Sequence, residues 1–186
     1  MEKAMTAKTT ASKSAKYWAL LRIVLGLIFV WAFVDKLYGL GYTTCRDTDP
    51  KTKVETIEVM CDKAAINGGS PTSGFLKFGT YGPLQDFYSG LAGNGFVDFL
   101  FMAGLGSIGI CLILGIGIRI ATLSGVLMML MMWSAMLPPK NNPLLDEHIV
   151  YSIALLGILA SNKEQVYGLG KWWQSLPLVK KYSILA

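Results

Sequence analysis

Four apolar runs constrain this 186-residue chain more than any other feature of its sequence. They cover residues 17–38, 96–118, 120–137 and 144–161. A helix needs about 20 predominantly apolar residues to cross a bilayer, so the first three runs are long enough. The fourth crosses only if Asp146, Glu147 and His148 form its first turn at the interface, where acidic groups suit the helix dipole. The runs predict an all-α integral membrane protein, a four-transmembrane-helix bundle with one membrane domain over residues 1–186.

Composition supports this prediction and excludes other classes. Of the residues, 53% are hydrophobic and 16% are charged, whereas soluble proteins average roughly 25% charged residues. An ordinary soluble enzyme and a disordered chain are therefore excluded. A net charge of +5 could attract nucleic acid, but the sequence predicts no soluble domain to carry a basic patch. No nucleic-acid partner is therefore expected. The lipid bilayer is the expected partner.

The distribution of Lys and Arg predicts the orientation. The spans leave a long loop, residues 41–95, on one side and a tail, residues 162–186, on the other. The side with both termini carries Lys3, Lys8, Lys13, Lys16, Arg119, Lys163, Lys171, Lys180 and Lys181. The opposite side carries Arg46, Lys51, Lys53, Lys63, Lys77 and Lys140. The positive-inside rule then favours cytoplasmic termini and an extracytoplasmic loop between the first two spans.

The long loop contains several recognisable patterns. Residues 43–62 are polar and include stretches that alternate between apolar and polar side chains, such as residues 54–59, which is typical of a small β-hairpin. Residues 83–91 have the apolar spacing of a short amphipathic helix. Cys45 and Cys61 bracket the first part of the loop, so either a disulfide closes it or both thiols stay unpaired. Cys111 lies inside the second span and cannot join them.

The sequence predicts no intrinsic haem, metal or nucleotide. Residues 104–109 match the G-x-G-x-x-G motif, but they lie inside an apolar run without the strand that a dinucleotide site requires. Small residues at every fourth position instead predict close helix packing; they are Ala103, Ser107, Cys111 and Gly115. The chain has one histidine and no C-x-x-C pair, so haem, zinc and dithiol chemistry lack their ligands.

Charged residues at the membrane edges are the natural functional candidates. The predicted topology gathers most of them at the outer mouth of the bundle: Asp35, Lys36, Asp98, Lys140, Asp146, Glu147 and His148. A histidine beside carboxylates can handle protons near neutral pH. The alternative is structural, with Asp35 and Lys36 ending one helix and Asp146 capping another.

Three further residues have two interpretations each. Arg22, near the cytoplasmic start of the first span, either anchors a quinone oxygen or lipid phosphate or extends to the headgroups. Trp133 and Tyr151 either flank an apolar ring or belong to the aromatic belt of the interface.

The ordered set of these segments resembles the DoxX/DoxD family of four-helix membrane proteins. The resemblance rests on residues 22–31 followed by Asp35 and Lys36, on residues 112–119 and on residues 142–151. Residues 66–75 and 137–143 are similar to the longer members, described as the large subunit of thiosulfate:quinone oxidoreductase. The resemblance implies a prokaryotic plasma-membrane subunit that passes electrons from thiosulfate to membrane quinone, with a second subunit as partner.

Two hypotheses of different class follow. In the first, a quinone-linked oxidoreductase subunit uses His148 with Asp146 or Glu147 for proton transfer. Lys36 and Lys140 attract an anionic sulfur donor, while quinone is the borrowed cofactor. In the second, the chain is a non-catalytic membrane anchor or scaffold of a respiratory or redox complex, binding through the outer loop and its aromatic, basic tail.

Overall fold

The computed structural model of the protein describes residues 13–49, 51–162 and 166–185. Lys3, Lys8 and Lys163 of the predicted basic flanks lie outside these residues. The chain is mostly helical. Within the described residues, the α-helices are α1 (Lys13–Tyr38), α2 (Gln85–Gly90), α3 (Gly95–Leu114), α4 (Ile118–Ala135), α5 (Glu147–Ala160), α6 (Gly170–Ser175) and α7 (Pro177–Lys181).

Three helices are long and apolar enough to cross a membrane: α1, α3 and α4. They match the first three predicted spans. Helix α5 has 14 residues and a length of about 21 Å, whereas the hydrocarbon core is about 30 Å thick. That the fourth run crosses the membrane therefore stays a prediction. The three longer helices indicate a membrane protein.

Glycine sets the boundaries of the hairpin between α3 and α4. Gly115 and Gly117 both have positive φ, at 75° and 55°. Glycine reaches this left-handed region without the steric cost that other residues incur, so α3 ends at Leu114 and α4 begins at Ile118. The second predicted span is shorter at its end than the hydropathy indicated, because these glycines are apolar but do not continue the helix.

The four longer helices form a closed bundle. Helix α1 packs on α3, α3 on α4, α4 on α5, and α5 returns to α1. Their shared core consists of Leu25, Phe29, Leu105, Ile108, Leu112, Ile118, Met129, Leu155 and Ile158. Large apolar residues also point outward, including Leu27, Phe99, Leu127 and Ile153. An apolar interior and an apolar exterior together are typical of a bundle whose solvent is lipid.

Helices α1 and α3 approach each other closely at Gly26 and Gly109. A Cβ added to Gly109 would lie 2.9 Å from the Gly26 carbonyl oxygen, and one added to Gly26 would lie 2.9 Å from the Gly109 oxygen. The predicted stripe of small residues lies on another face, since Ala103 and Ser107 are exposed. Sequence spacing identified α3 as a helix rich in small residues, but it selected the wrong face.

The segment between α1 and α3 contains the remaining small elements. Strand β1 (Arg46–Thr48) pairs antiparallel with β2 (Glu55–Ile57), within the region where alternation predicted a hairpin. Cys45 and Cys61 form a disulfide that closes this hairpin at its base. A 3-10 turn (Ala65–Asn67) and a π-helical turn (Phe75–Gly79) follow before α2. Tyr88 of α2 is buried with Leu76 and Ala135, so the segment packs onto the end of the bundle.

The Gly26–Gly109 contact predicts a sharp stability difference along one helix. Gly109→Ala should lower the unfolding free energy by about 1–3 kcal/mol, because the new methyl group meets backbone atoms that cannot move aside. Gly95→Ala is the matched control on the same helix, since a Cβ there has no neighbour within 4 Å. Thermal unfolding of the purified protein in detergent measures both. Equal midpoints for the two variants would show that α1 and α3 are not in backbone contact.

Candidate functional site

Asp35 is a buried carboxylate near the end of α1, 1% exposed. It accepts hydrogen bonds from the backbone N–H of Tyr42 (3.0 Å), Thr43 (3.0 Å) and Thr44 (3.1 Å). The Thr43 hydroxyl donates a further bond at 2.7 Å. Four donors on one carboxylate order the chain that leaves the helix. Asp35 therefore has a structural role of the kind that the helix-end interpretation predicted.

Asp98 also has a structural role, at the start of α3, where it accepts hydrogen bonds from the segment before the helix. One oxygen accepts from the hydroxyl of Ser70 at 3.0 Å and from the hydroxyl and backbone N–H of Thr72 at 2.6 and 3.2 Å. Asp98 therefore ties the middle of the α1–α3 segment to the bundle. Its carboxylate is bound to its own loop.

The two lysines predicted at the outer mouth differ in their surroundings. Lys36 is partly buried, and its Nζ lies 5.9 Å from the ring centroid of Phe101 in α3. This is the distance range of a cation–π interaction. Lys140 is exposed in the connection between α4 and α5. Either charge can add to a positive field at this end of the bundle, but only Lys36 is held by a neighbouring helix.

Asp146 and His148 form a hydrogen-bonded pair of titratable groups at this end. The Nδ1 of His148 lies 2.8 Å from Oδ2 of Asp146, and His148 is 7% exposed. The other oxygen of Asp146 accepts from the backbone N–H of His148 and Ile149, so the same side chain caps α5. With an ionised Asp146, the imidazole donates from Nδ1, which leaves Nε2 as the atom able to accept a proton.

Glu147 does not share that position, because it is exposed on the first turn of α5. Ligand atoms of Asp146, Glu147 and His148 lie within 4.8 Å of one another, close enough for a metal ion. However, both oxygens of Asp146 are already engaged by the helix cap and the imidazole. The arrangement is therefore better suited to proton transfer than to metal binding.

The aromatic residues predicted to flank a ring lie on the helices beside this pair. Trp133, near the end of α4, donates from Nε1 to the Leu144 carbonyl at 2.9 Å. Tyr151 is partly buried and packs against the bundle core one turn beyond His148. The bond from Trp133 fixes the connection that leads into the cap of α5. Trp133 thus helps to position Asp146 by holding the chain before it.

Arg22 lies at the opposite end of the bundle, because its partners are in the last turn of α3 and in the chain after α5. It is 4% exposed and donates to the Leu112 carbonyl at 2.9 Å and to the Tyr167 carbonyl. The guanidinium thereby joins the end of α3 to the tail, where carbonyls carry the negative end of the helix dipole. The headgroup interpretation expected Arg22 to extend to the surface, but its side chain is buried in the bundle.

Sequence reasoning missed the partners of these charges. Ser70 and Thr72 receive no functional signal from their own sequence, although their hydroxyls bind Asp98. The Tyr88 hydroxyl lies 2.6 Å from the Ser134 hydroxyl and links α2 to α4. Hydroxyl residues in a loop that adjoins a charged helix end are the sequence signal that could have identified these partners.

The bonds to Asp35 predict that its charge is needed for folding. Asp35→Asn should lower the unfolding free energy by about 2 kcal/mol or more, because an amide nitrogen would face N–H donors in a buried site. Asp47→Asn is the control, since Asp47 is exposed and pairs only with Lys63 in the described residues, an interaction worth at most about 1 kcal/mol. Thermal unfolding in detergent distinguishes them. A D35N variant as stable as D47N would contradict the role of Asp35.

Comparison with known proteins identifies no relative of this chain. No protein-family model, curated protein or solved structure matches the chain significantly. The resemblance to the DoxX/DoxD family therefore stays a hypothesis carried by the sequence segments themselves. The interpretation of the site rests on the Asp146–His148 pair and its neighbours.

Proposed function

We propose that this protein is the membrane subunit of a quinone-linked oxidoreductase. The observation that supports the proposal is the Asp146–His148 pair at one end of an apolar bundle, in which both side chains are 9% exposed and 2.8 Å separates carboxylate and imidazole. A carboxylate that orients an imidazole is an arrangement suited to general acid–base chemistry. The lipid phase around such a bundle is where a membrane quinone dissolves.

The resemblance to the DoxX/DoxD family supplies the electron donor, a reduced sulfur compound such as thiosulfate. Joining a pair of thiosulfate ions through a sulfur–sulfur bond gives tetrathionate and releases an electron pair without protons. The quinone takes up that electron pair together with a pair of protons and becomes the quinol. His148 would serve this second half-reaction by delivering one of the two protons from Nε2 to a quinone oxygen, and water at the outer face would supply the other. Asp146 would stabilise the imidazolium before delivery.

The neighbouring residues have supporting roles in this proposal. Trp133 and Tyr151 flank the quinone ring, and Lys36 and Lys140 attract the anionic donor by their charge. Arg22 is not assigned to the quinone site, because its guanidinium donates to backbone carbonyls at the other end of the bundle. Electron transfer involves a second subunit in this proposal, as the resemblance to the DoxX/DoxD family implies.

The disulfide supports the proposed orientation. Disulfides persist in oxidising compartments, so the segment that contains Cys45 and Cys61 belongs outside the cytoplasm. The proposal therefore has α5 as a fourth span, the Asp146–His148 pair at the outer face and both termini in the cytoplasm of a prokaryotic cell. The plasma membrane is the proposed location.

A non-catalytic anchor or scaffold of a redox complex is the second candidate. It is favoured by a specific observation, which is that Asp35, Asp98 and Arg22 all bind segments of their own chain. Charges used in this way stabilise the fold. The exposed aromatic residue Trp172 and the basic tail would then contact a partner or the membrane.

Replacement of the pair tests the first candidate against the second. His148→Gln should lower thiosulfate-dependent reduction of a short-chain quinone by about a hundredfold in membranes that contain the whole complex, because the proton donor is lost. Asp146→Asn should lower it by about tenfold or more while keeping the helix cap, since Asn caps as well as Asp.

Glu147→Gln is the matched control on the same turn, and it should leave the rate unchanged because Glu147 is exposed. The rate of quinone reduction is followed by the change in quinone absorbance at a series of pH values, with equal amounts of each variant. Unchanged rates in all three variants, with the partner enzyme still co-purifying, would favour the scaffold.

A further inference from the structure

A cleft of about 420 Å³ lies at the end of the bundle opposite His148. The residues that line it come from the start of α4, the end of α5 and the tail, where α6, α7 and the last turn fold back. Arg119 connects these parts, because its Nη1 donates to the Ser183 carbonyl at 2.8 Å. The cleft is therefore built from the fold of the tail onto the bundle.

The lining has two chemically distinct parts. Arg119 and Lys180 provide positive charge, and the amides of Asn162 and Gln174 lie beside them. Leu159 and Val179 provide apolar surface. None of the eight described lining residues is acidic. A cleft of this kind complements a ligand that has an anionic group joined to an apolar body.

The position of the cleft identifies the source of such a ligand. The helices that contribute to it carry exposed apolar side chains, including Leu123 of α4 and Leu156 of α5. In the tail, Trp172 and Leu178 are 57% and 60% exposed. Apolar helix surface on one side and basic, aromatic tail on the other is the pattern of a membrane interface. The cleft thus lies where phospholipid headgroups are abundant.

We propose that this cleft binds the phosphate of an anionic phospholipid. The guanidinium of Arg119 has five N–H donors in a planar fork, and the structure records one of its nitrogens bonding to Ser183. Its geometry matches phosphate oxygens, while Lys180 adds a point charge from the end of α7. The acyl chains extend along the apolar helices. This proposal is independent of the quinone site, which lies at the other end.

Adjacent lysines provide a matched test of the cleft. Lys180 lines it, whereas Lys181 lies outside it with its Nζ 5.4 Å from the ring centroid of Tyr182. The full chain, purified in detergent, is titrated with phosphatidylglycerol or phosphatidylcholine, and native mass spectrometry measures the lipid bound. Lys180→Gln should weaken phosphatidylglycerol binding by about fivefold, the effect of one cation near a lipid surface, and Lys181→Gln should not.

Binding of phosphatidylcholine should be weaker than that of phosphatidylglycerol and equal in both variants. Equal losses in K180Q and K181Q would show diffuse attraction to the tail and overturn the proposal, as would no loss in either. Glycerol phosphate serves as the water-soluble competitor. If it displaces phosphatidylglycerol at equimolar concentration, the acyl chains contribute nothing and the cleft is a site for free phosphate, which also overturns the proposal.

Discussion

Backbone polar groups at the end of a membrane bundle need partners that lipid cannot supply, and the rest of this structure depends on how they are satisfied. Asp35 accepts hydrogen bonds from three consecutive backbone N–H groups where the chain leaves α1. Asp98 holds residues 70–72 at the start of α3, and Arg22 holds the tail at the end of α3. The charges at the helix ends therefore fasten the connecting segments to the bundle, and the segments in turn give those charges the partners that burial requires.

This use of charge limits which groups at the helix ends are available for chemistry. A carboxylate that holds several backbone groups is fixed by the fold and has little freedom to exchange protons with a ligand. Asp146 is different, because one of its oxygens caps α5 while the other contacts the imidazole of His148. The cap gives the pair a fixed position, and the imidazole gives it a ring nitrogen that can accept or donate a proton. The proposed quinone chemistry depends on this division of roles within one side chain.

The length and apolar character of the runs were sufficient to predict α1, α3 and α4, because an apolar run of membrane length has few alternatives to a helix. Alternation also identified the region of β2, and the helical spacing around Tyr88 identified α2. The contact between Gly26 and Gly109 could not be predicted, because it depends on which faces of two distant helices meet. For the site, sequence named Asp146 and His148 together since they are neighbours on one turn. It grouped Asp35 and Asp98 with them by topology, whereas their partners are set by tertiary folding of residues far along the chain.

Whether His148 contacts a bound quinone can be measured from the NMR resonance of its imidazole, since His148 is the one histidine in the sequence. The protein, labelled with ¹⁵N-histidine in detergent or lipid, is measured with and without a short-chain quinone, whose binding is followed separately by quenching of tryptophan fluorescence. A bound quinone should shift the Nε2 resonance, and Asp146→Asn should change the Nδ1 resonance before any quinone is added. An unchanged Nε2 resonance while fluorescence reports a bound quinone would place the quinone elsewhere and contradict the account.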